Sequence, residues 1–180
     1  VLAILLPVVV SAGEFTTGNV TWNYGLKGGL GYFSFRNSLF FDIDPDPPGN
    51  LSDDRAEFAI KPWVSLETEL GTGQLFGEAS FAYARTGDDG AEIGGGAAES
   101  WDFDALYLGW RNGEVQTGQF EISGGRLPFE LARGLIISDG YSDGGSRGGY
   151  WSNPRTAWAP GFNARFKHSA HMAEVFYLER

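Results

Sequence analysis

The chain has 180 residues, no cysteine and a formal net charge of -10 at pH 7. Disulfides and thiolate metal sites are thereby excluded, and the acidic balance excludes a sequence-independent nucleic-acid binder, which needs a basic footprint. Twenty-seven glycines, 15% aromatic residues and a slightly negative mean hydropathy fit a glycine-punctuated β protein better than a helical bundle.

The chain opens on the ten apolar residues VLAILLPVVV, followed by small ones. Val10 and Ala12 stand at -3 and -1 of a cut before Gly13, the pattern of a signal-peptide cleavage site. The run is too short to span a bilayer as a helix. With no initiator Met and no basic n-region, residues 1–12 read as a partial signal peptide and 13–180 as part of a β-barrel domain. The competing reading is an apolar strand of the domain itself.

Beyond Gly13 the recurring period is two, with no sustained helical periodicity. The first predicted strand starts near Val20 and runs past Phe35, with Val20, Trp22, Tyr24, Leu26, Leu30 and Tyr32 on one face. Its other face is polar or bare, with Thr21, Asn23, Lys27 and several glycines. The second, 58–70, sets Phe58, Ile60, Pro62, Val64, Leu66 and Leu70 against Lys61, Trp63, Ser65, Glu67 and Glu69. The third, 75–85, sets Leu75, Ala79, Phe81 and Tyr83 against Phe76, Glu78, Ser80 and Ala82. The fourth, 101–111, alternates until a break near Ala105. The fifth covers 115–121; the sixth, around 156–167, opposes Trp158, Phe162, Ala164 and Phe166 to Asn163, Arg165 and Lys167. The seventh begins near Met172.

The connections alternate in length. GTGQ, RNGE and HSAH are of tight-turn length, and glycine in the first two supplies the positive φ such turns require. The stretches 42–55, 87–100 and 122–154 are long. Short turns at one end and long loops at the other are the pattern of an up-and-down barrel in an outer membrane. Several segments reach ten residues, as a tilted spanning strand requires. Trp22 and Tyr24 near one end of the first strand, and Tyr32 near the other, suit interfacial girdles. Such strands must close into a ring, because unpaired amides in hydrocarbon cost several kcal/mol each. About seven strands are fewer than the roughly eight of the smallest bacterial barrels. The expected fold is therefore all-β: an antiparallel up-and-down transmembrane β-barrel, here an incomplete, N-terminal portion of a larger one.

The segment ESWDFDALYLGWRNGEVQTGQFEIS, followed by ARGLIISDGYSDGGSRGGYWSNPRTAW, resembles the alginate-export-like family of outer-membrane barrels. So does FFDIDPDPPGNLSDD after the long first strand. The shared elements are an acidic-aromatic approach to LYLGWR, a tight turn, a strand leading to Gly118-Gln119, and a Gly/Asp/Arg loop. Family members often carry Gly-Arg where this chain has Gly118-Gln119. The resemblance implies a monomeric barrel of about eighteen strands that passes an anionic or polar solute, alginate-like polysaccharide included, through a lumen lined with basic residues. Arg suits that task as a planar fork for carboxylates in a pore of lowered dielectric. The candidates for pore lining and selectivity are Lys27, Lys61, Arg126, Arg133, Arg147, Arg155, Arg165 and Lys167. Each has a plainer role open to it, in headgroups, in a solvated loop or beside Glu67, Glu69 or Glu78.

Other motifs carry less. His168 and His171 form H-x-x-H within a predicted tight turn, and with no cysteine they read as turn residues, not metal ligands. Asp42, Asp44, Asp46, Asp53 and Asp54 lack the Gly-and-Glu frame of an EF-hand, and Pro45, Pro47 and Pro48 suit a stiff external loop. SDGYSDGGSRGG is neither a phosphate loop nor a dinucleotide fingerprint. The apolar stretch GGRLPFELARGLI is a candidate constriction folded into the lumen.

The expected function is an outer-membrane channel, not an enzyme, with no cofactor and no metal, passing its solute by passive, charge-tuned diffusion. Its expected partners are outer-membrane lipid and that solute, with no nucleic acid. The alternatives are a surface or secreted β-fold polysaccharide hydrolase with a carboxylate pair, and a soluble β-sandwich carbohydrate-binding module.

Overall fold

The computed structural model describes residues 2–36, 52–87, 99–131 and 156–179. Eight strands make up one antiparallel sheet: β1 (Leu2–Thr17), β2 (Val20–Arg36), β3 (Ser52–Leu70), β4 (Gly73–Thr86), β5 (Glu99–Glu114), β6 (Gly118–Arg126), β7 (Ala159–His168) and β8 (His171–Glu179). Their spatial order is their chain order, with β1 and β8 at the edges, and no helix occurs among the described residues.

Turn chemistry fixes the hairpins. Gly18 and Gly71, both at φ +63°, sit in the two-residue turns that close β1–β2 and β3–β4. Ser169 takes the same left-handed region, at φ 52°, between β7 and β8. The β5–β6 turn falls at 115–117, wholly after RNGE (111–114), with Thr117 N–H donating to the Glu114 carbonyl at 3.2 Å. Gly113 has the expected positive φ, 84°, but still pairs with Gln119 as part of the ladder. All four short turns therefore share one end of the sheet, and the three long connections leave from the other.

The strand number differs from the sequence expectation, because 2–17 forms β1 and pairs with β2 from Leu2↔Ser34 to Thr17↔Val20. Ala12 and Gly13, on either side of the expected cut, are consecutive in that strand, opposite Gly25 and Tyr24. Val, Ile and Leu serve a strand as well as an apolar leader, so composition does not separate the two.

The registers sort side chains as the period-two pattern predicts. Trp22, Leu66, Gly77 and Leu108 pair in succession across β2 to β5 on an apolar face; Asn23↔Ser65↔Glu78↔Tyr107 is the equivalent row on a polar face. Burial then runs against the habit of a water-soluble sheet. On the apolar face Trp101 is 69% exposed and Leu108 57%. On the polar face Glu57 and Asp104 are each 1% exposed. Aromatic rings gather toward both ends of the apolar face: Phe15 stacks on Trp22 at the turn end, and Phe58–Tyr83 and Phe81–Trp101 meet at the loop end. Between them, Gly77, Ala79 and Gly124 leave an apolar groove of about 420 Å³ beside Leu66 and Leu106.

The break at Ala105 is a β-bulge. Ala79 pairs with Leu106 but Phe81 with Phe103, so Asp104 and Ala105 together oppose one residue of β4. Ser80 compensates, its Oγ accepting the Ala105 N–H at 2.9 Å. Both Asp104 and Ala105 are buried on the polar side as a result.

Candidate functional site on the polar face

Asp104 is the centre of the best-connected polar cluster. Its Oδ1 accepts the backbone N–H groups of Thr156 and Ala157, at 2.9 and 3.0 Å, and its Oδ2 takes the Lys61 ammonium. Lys61 Nζ also reaches Thr156 Oγ1 at 3.4 Å. Thr156 and Ala157 belong to the returning limb of the β6–β7 connection, which this carboxylate ties to the sheet.

The outgoing limb lies beside it. Pro128 bridges Ala157, Trp158 N–H donates to the Leu127 carbonyl at 3.1 Å, and Trp158 Nε1 to the Phe129 carbonyl at 3.1 Å. Phe129 packs on Phe176 of β8, ring centroids 4.5 Å apart, and Leu127, Phe129 and Ala157 are all buried. Phe176 pairs with Asn163, and both belong to the polar face. The two limbs thus form a short strap laid across the polar face. Gly125, at φ +120°, stands where β6 gives way to it, a backbone that L side chains rarely adopt. The described part of GGRLPFELARGLI, up to residue 131, therefore lies against the polar side of the sheet.

A second network crosses the polar face nearer the turns. Arg111 Nη2 lies 3.1 Å from Glu67 Oε2, its Nε donates to Gln74 Oε1 at 2.7 Å, and its guanidinium sits 5.3 Å over the Phe76 ring. Gln74 in turn donates to Glu67 at 3.2 Å. Arg111 pairs in register with Glu121, and Glu121 with Arg165. Arg165 reaches Glu121 at 3.6 Å and Glu174 at 2.5 Å, and Asn163 donates to the same Glu174 oxygen at 3.0 Å. Charge alternates along the row from Glu67 to Glu174.

The sequence candidates divide accordingly. Lys61, Arg126 and Arg165 hold carboxylates, Arg126 through Asp102 at 3.3 Å. Lys27 and Lys167 occupy polar-face register positions, opposite Lys61 and Gln119, and make no ion pair among the described residues. Arg133, Arg147 and Arg155 lie outside the described residues, as do Asp42, Asp44, Asp46 and SDGYSDGGSRGG. Asp53 and Asp54 fall at the start of β3.

No family model, characterised protein or solved structure matches the chain.

The residues that sequence reasoning missed are Asp102, Asp104, Glu121 and Glu174 as partners of the basic candidates, and Arg111 as a further cation, held by Glu67. The break at Ala105 marked the place of Asp104 without disclosing its partner, since Lys61 is 43 residues away in the chain. His168 and His171 close the β7–β8 turn as a register pair, and no group of three metal-ligating side chains assembles among the described residues.

Proposed function

We propose that this chain is part of an outer-membrane β-barrel channel that passes polar solutes by passive diffusion, its polar face lining the lumen and its apolar face against lipid. The observation that carries the reading is the inverted burial: acids and amides are covered while a band of Trp, Phe, Leu and Val is bare. Water-soluble monomers rarely expose apolar patches beyond a few hundred Å²; a lipid-facing barrel wall exposes just such a band between aromatic girdles.

Dimensions agree. From Leu75 to Arg85 the strand rises about 33 Å, or about 25 Å along the membrane normal at a tilt near 40°. Across β4 to β5 that rise ends at Arg85 opposite Glu99, a charged row at the loop-end rim. The strap makes the lumen narrower than the sheet alone would. The resemblance to alginate-export-like barrels supports the same channel reading.

Trp101 and Trp63 test the orientation. Single-tryptophan variants are reconstituted in vesicles containing brominated lipid. Fluorescence of Trp101, on the apolar face, should be strongly quenched, and that of Trp63, on the polar face, should not. Equal quenching, or a monomer that folds fully in detergent-free buffer, would refute the membrane reading in favour of a covered, sandwich-like sheet.

A further inference from the structure

We infer that the polar face discriminates against polyanions and admits small cations and uncharged polar solutes. This rests on the channel reading and names the solute class such a channel would take.

Four of the described cationic side chains already hold a carboxylate: Lys61 with Asp104, Arg111 with Glu67, Arg126 with Asp102, and Arg165 with Glu121 and Glu174. A guanidinium whose fork is filled offers a passing carboxylate no bidentate seat. The alternating row from Glu67 to Glu174 places each cation between acids and holds three carboxylates to two guanidinium groups, so one negative charge is left over.

The unpaired remainder does not favour anions. Lys27 and Lys167 are matched by Glu69 and Glu78, which share the face and make no ion pair among the described residues. The connecting sequences 37–51, 88–98 and 132–155 together contain eight acidic and three basic residues, within a chain of net charge -10. A polyanion thus meets filled forks and a net repulsive potential. A small cation is drawn in, as acidic linings do in cation pores, and an uncharged polar solute meets hydrogen-bonding groups without a charge penalty.

The test is the reversal potential of the full-length protein in planar bilayers under a tenfold KCl gradient. One surplus negative charge about 10 Å from the ion path, in water, enriches cations and depletes anions about twofold each. The expected K⁺/Cl⁻ permeability ratio is therefore about fourfold, shrinking as salt screens it. Glu121→Gln with Glu174→Gln removes two acids and releases Arg165, and should lower that ratio at least about fourfold. Lys27→Gln, at an exposed position, should raise it and serves as the second variant should the double one fail to fold. A wild-type reversal potential on the chloride side, or ratios that neither variant moves, would overturn the inference while leaving the channel standing. Absence of any conductance from correctly folded protein would overturn the channel reading itself.

Discussion

Lys61 and Asp104 lie on β3 and β5, strands that do not pair, yet their side chains meet across β4 as an ion pair only 4% and 1% exposed. Breaking such a pair from one side leaves an uncompensated buried charge, at about 3–5 kcal/mol. Asp104→Ala also orphans the Thr156 and Ala157 amides, so it should be the costliest change on the polar face. Lys61→Met combined with Asp104→Asn removes the charge yet keeps an acceptor, and should recover most of the loss. Urea unfolding in lipid vesicles measures both. A cost below about 1 kcal/mol for Asp104→Ala would mean that the strap does not depend on this carboxylate.

The same loss should show in conductance. With its anchor gone, the returning limb at Thr156 and Ala157 is free to leave the sheet, and single-channel conductance of Asp104→Ala should exceed that of the wild type. Unchanged conductance in a folded variant would place the strap away from the ion path.

The Glu67–Arg111 contact offers the contrast. Its side chains are 42% and 31% exposed, so water screens the pair. Glu67→Ala should cost no more than about 1 kcal/mol, and less in high salt. If it proves as costly as Asp104→Ala, the polar face is drier than its exposure implies.

Val64 and Ser65 are consecutive and point to opposite faces of β3. Arginine at Val64, in the middle of the apolar band, should destabilise the reconstituted protein by about 2–4 kcal/mol. Arginine at Ser65 lands opposite Glu78 and should cost little. Equal penalties at both positions would argue that neither face meets lipid.

Gly71 has φ +63° with open space around it, whereas Gly109 is crowded, a Cβ there running into the Phe76 ring and lying 2.9 Å from the Ile122 carbonyl oxygen. Gly71→Ala should cost about 1–2 kcal/mol through backbone strain, and Gly71→Asn appreciably less, because Asn tolerates that region. Shortening Phe76 should relieve part of the Gly109→Ala cost, the Ile122 carbonyl clash remaining, and should not relieve Gly71→Ala at all. Thermal unfolding of the single and double variants separates the two mechanisms.

Much of the sheet was legible in sequence because period two and turn glycines are local signals. The faces of β2, β3 and β4, the tight turn at Gly71 and the break at Ala105 could all be read within a dozen residues. β1 was ambiguous because Val- and Leu-rich runs serve two purposes. The β5–β6 turn shifted because Gly113, though in the conformation turns favour, remains in the ladder opposite Gln119. The polar-face site was less legible. Lys61 and Arg165 stood out as cations, but their partners are set by strand register and by a bulge. Charge taken residue by residue therefore overstated the free positive charge.

Every strand in this sheet is hydrogen-bonded only to its neighbours in the chain. Each short turn makes its hairpin a module whose strands can zip without waiting for distant sequence. Adding or removing a hairpin at an edge leaves every other ladder in register. A wall of this design can be lengthened by duplication two strands at a time, and its circumference becomes a quantity that evolution can vary without redesigning the parts.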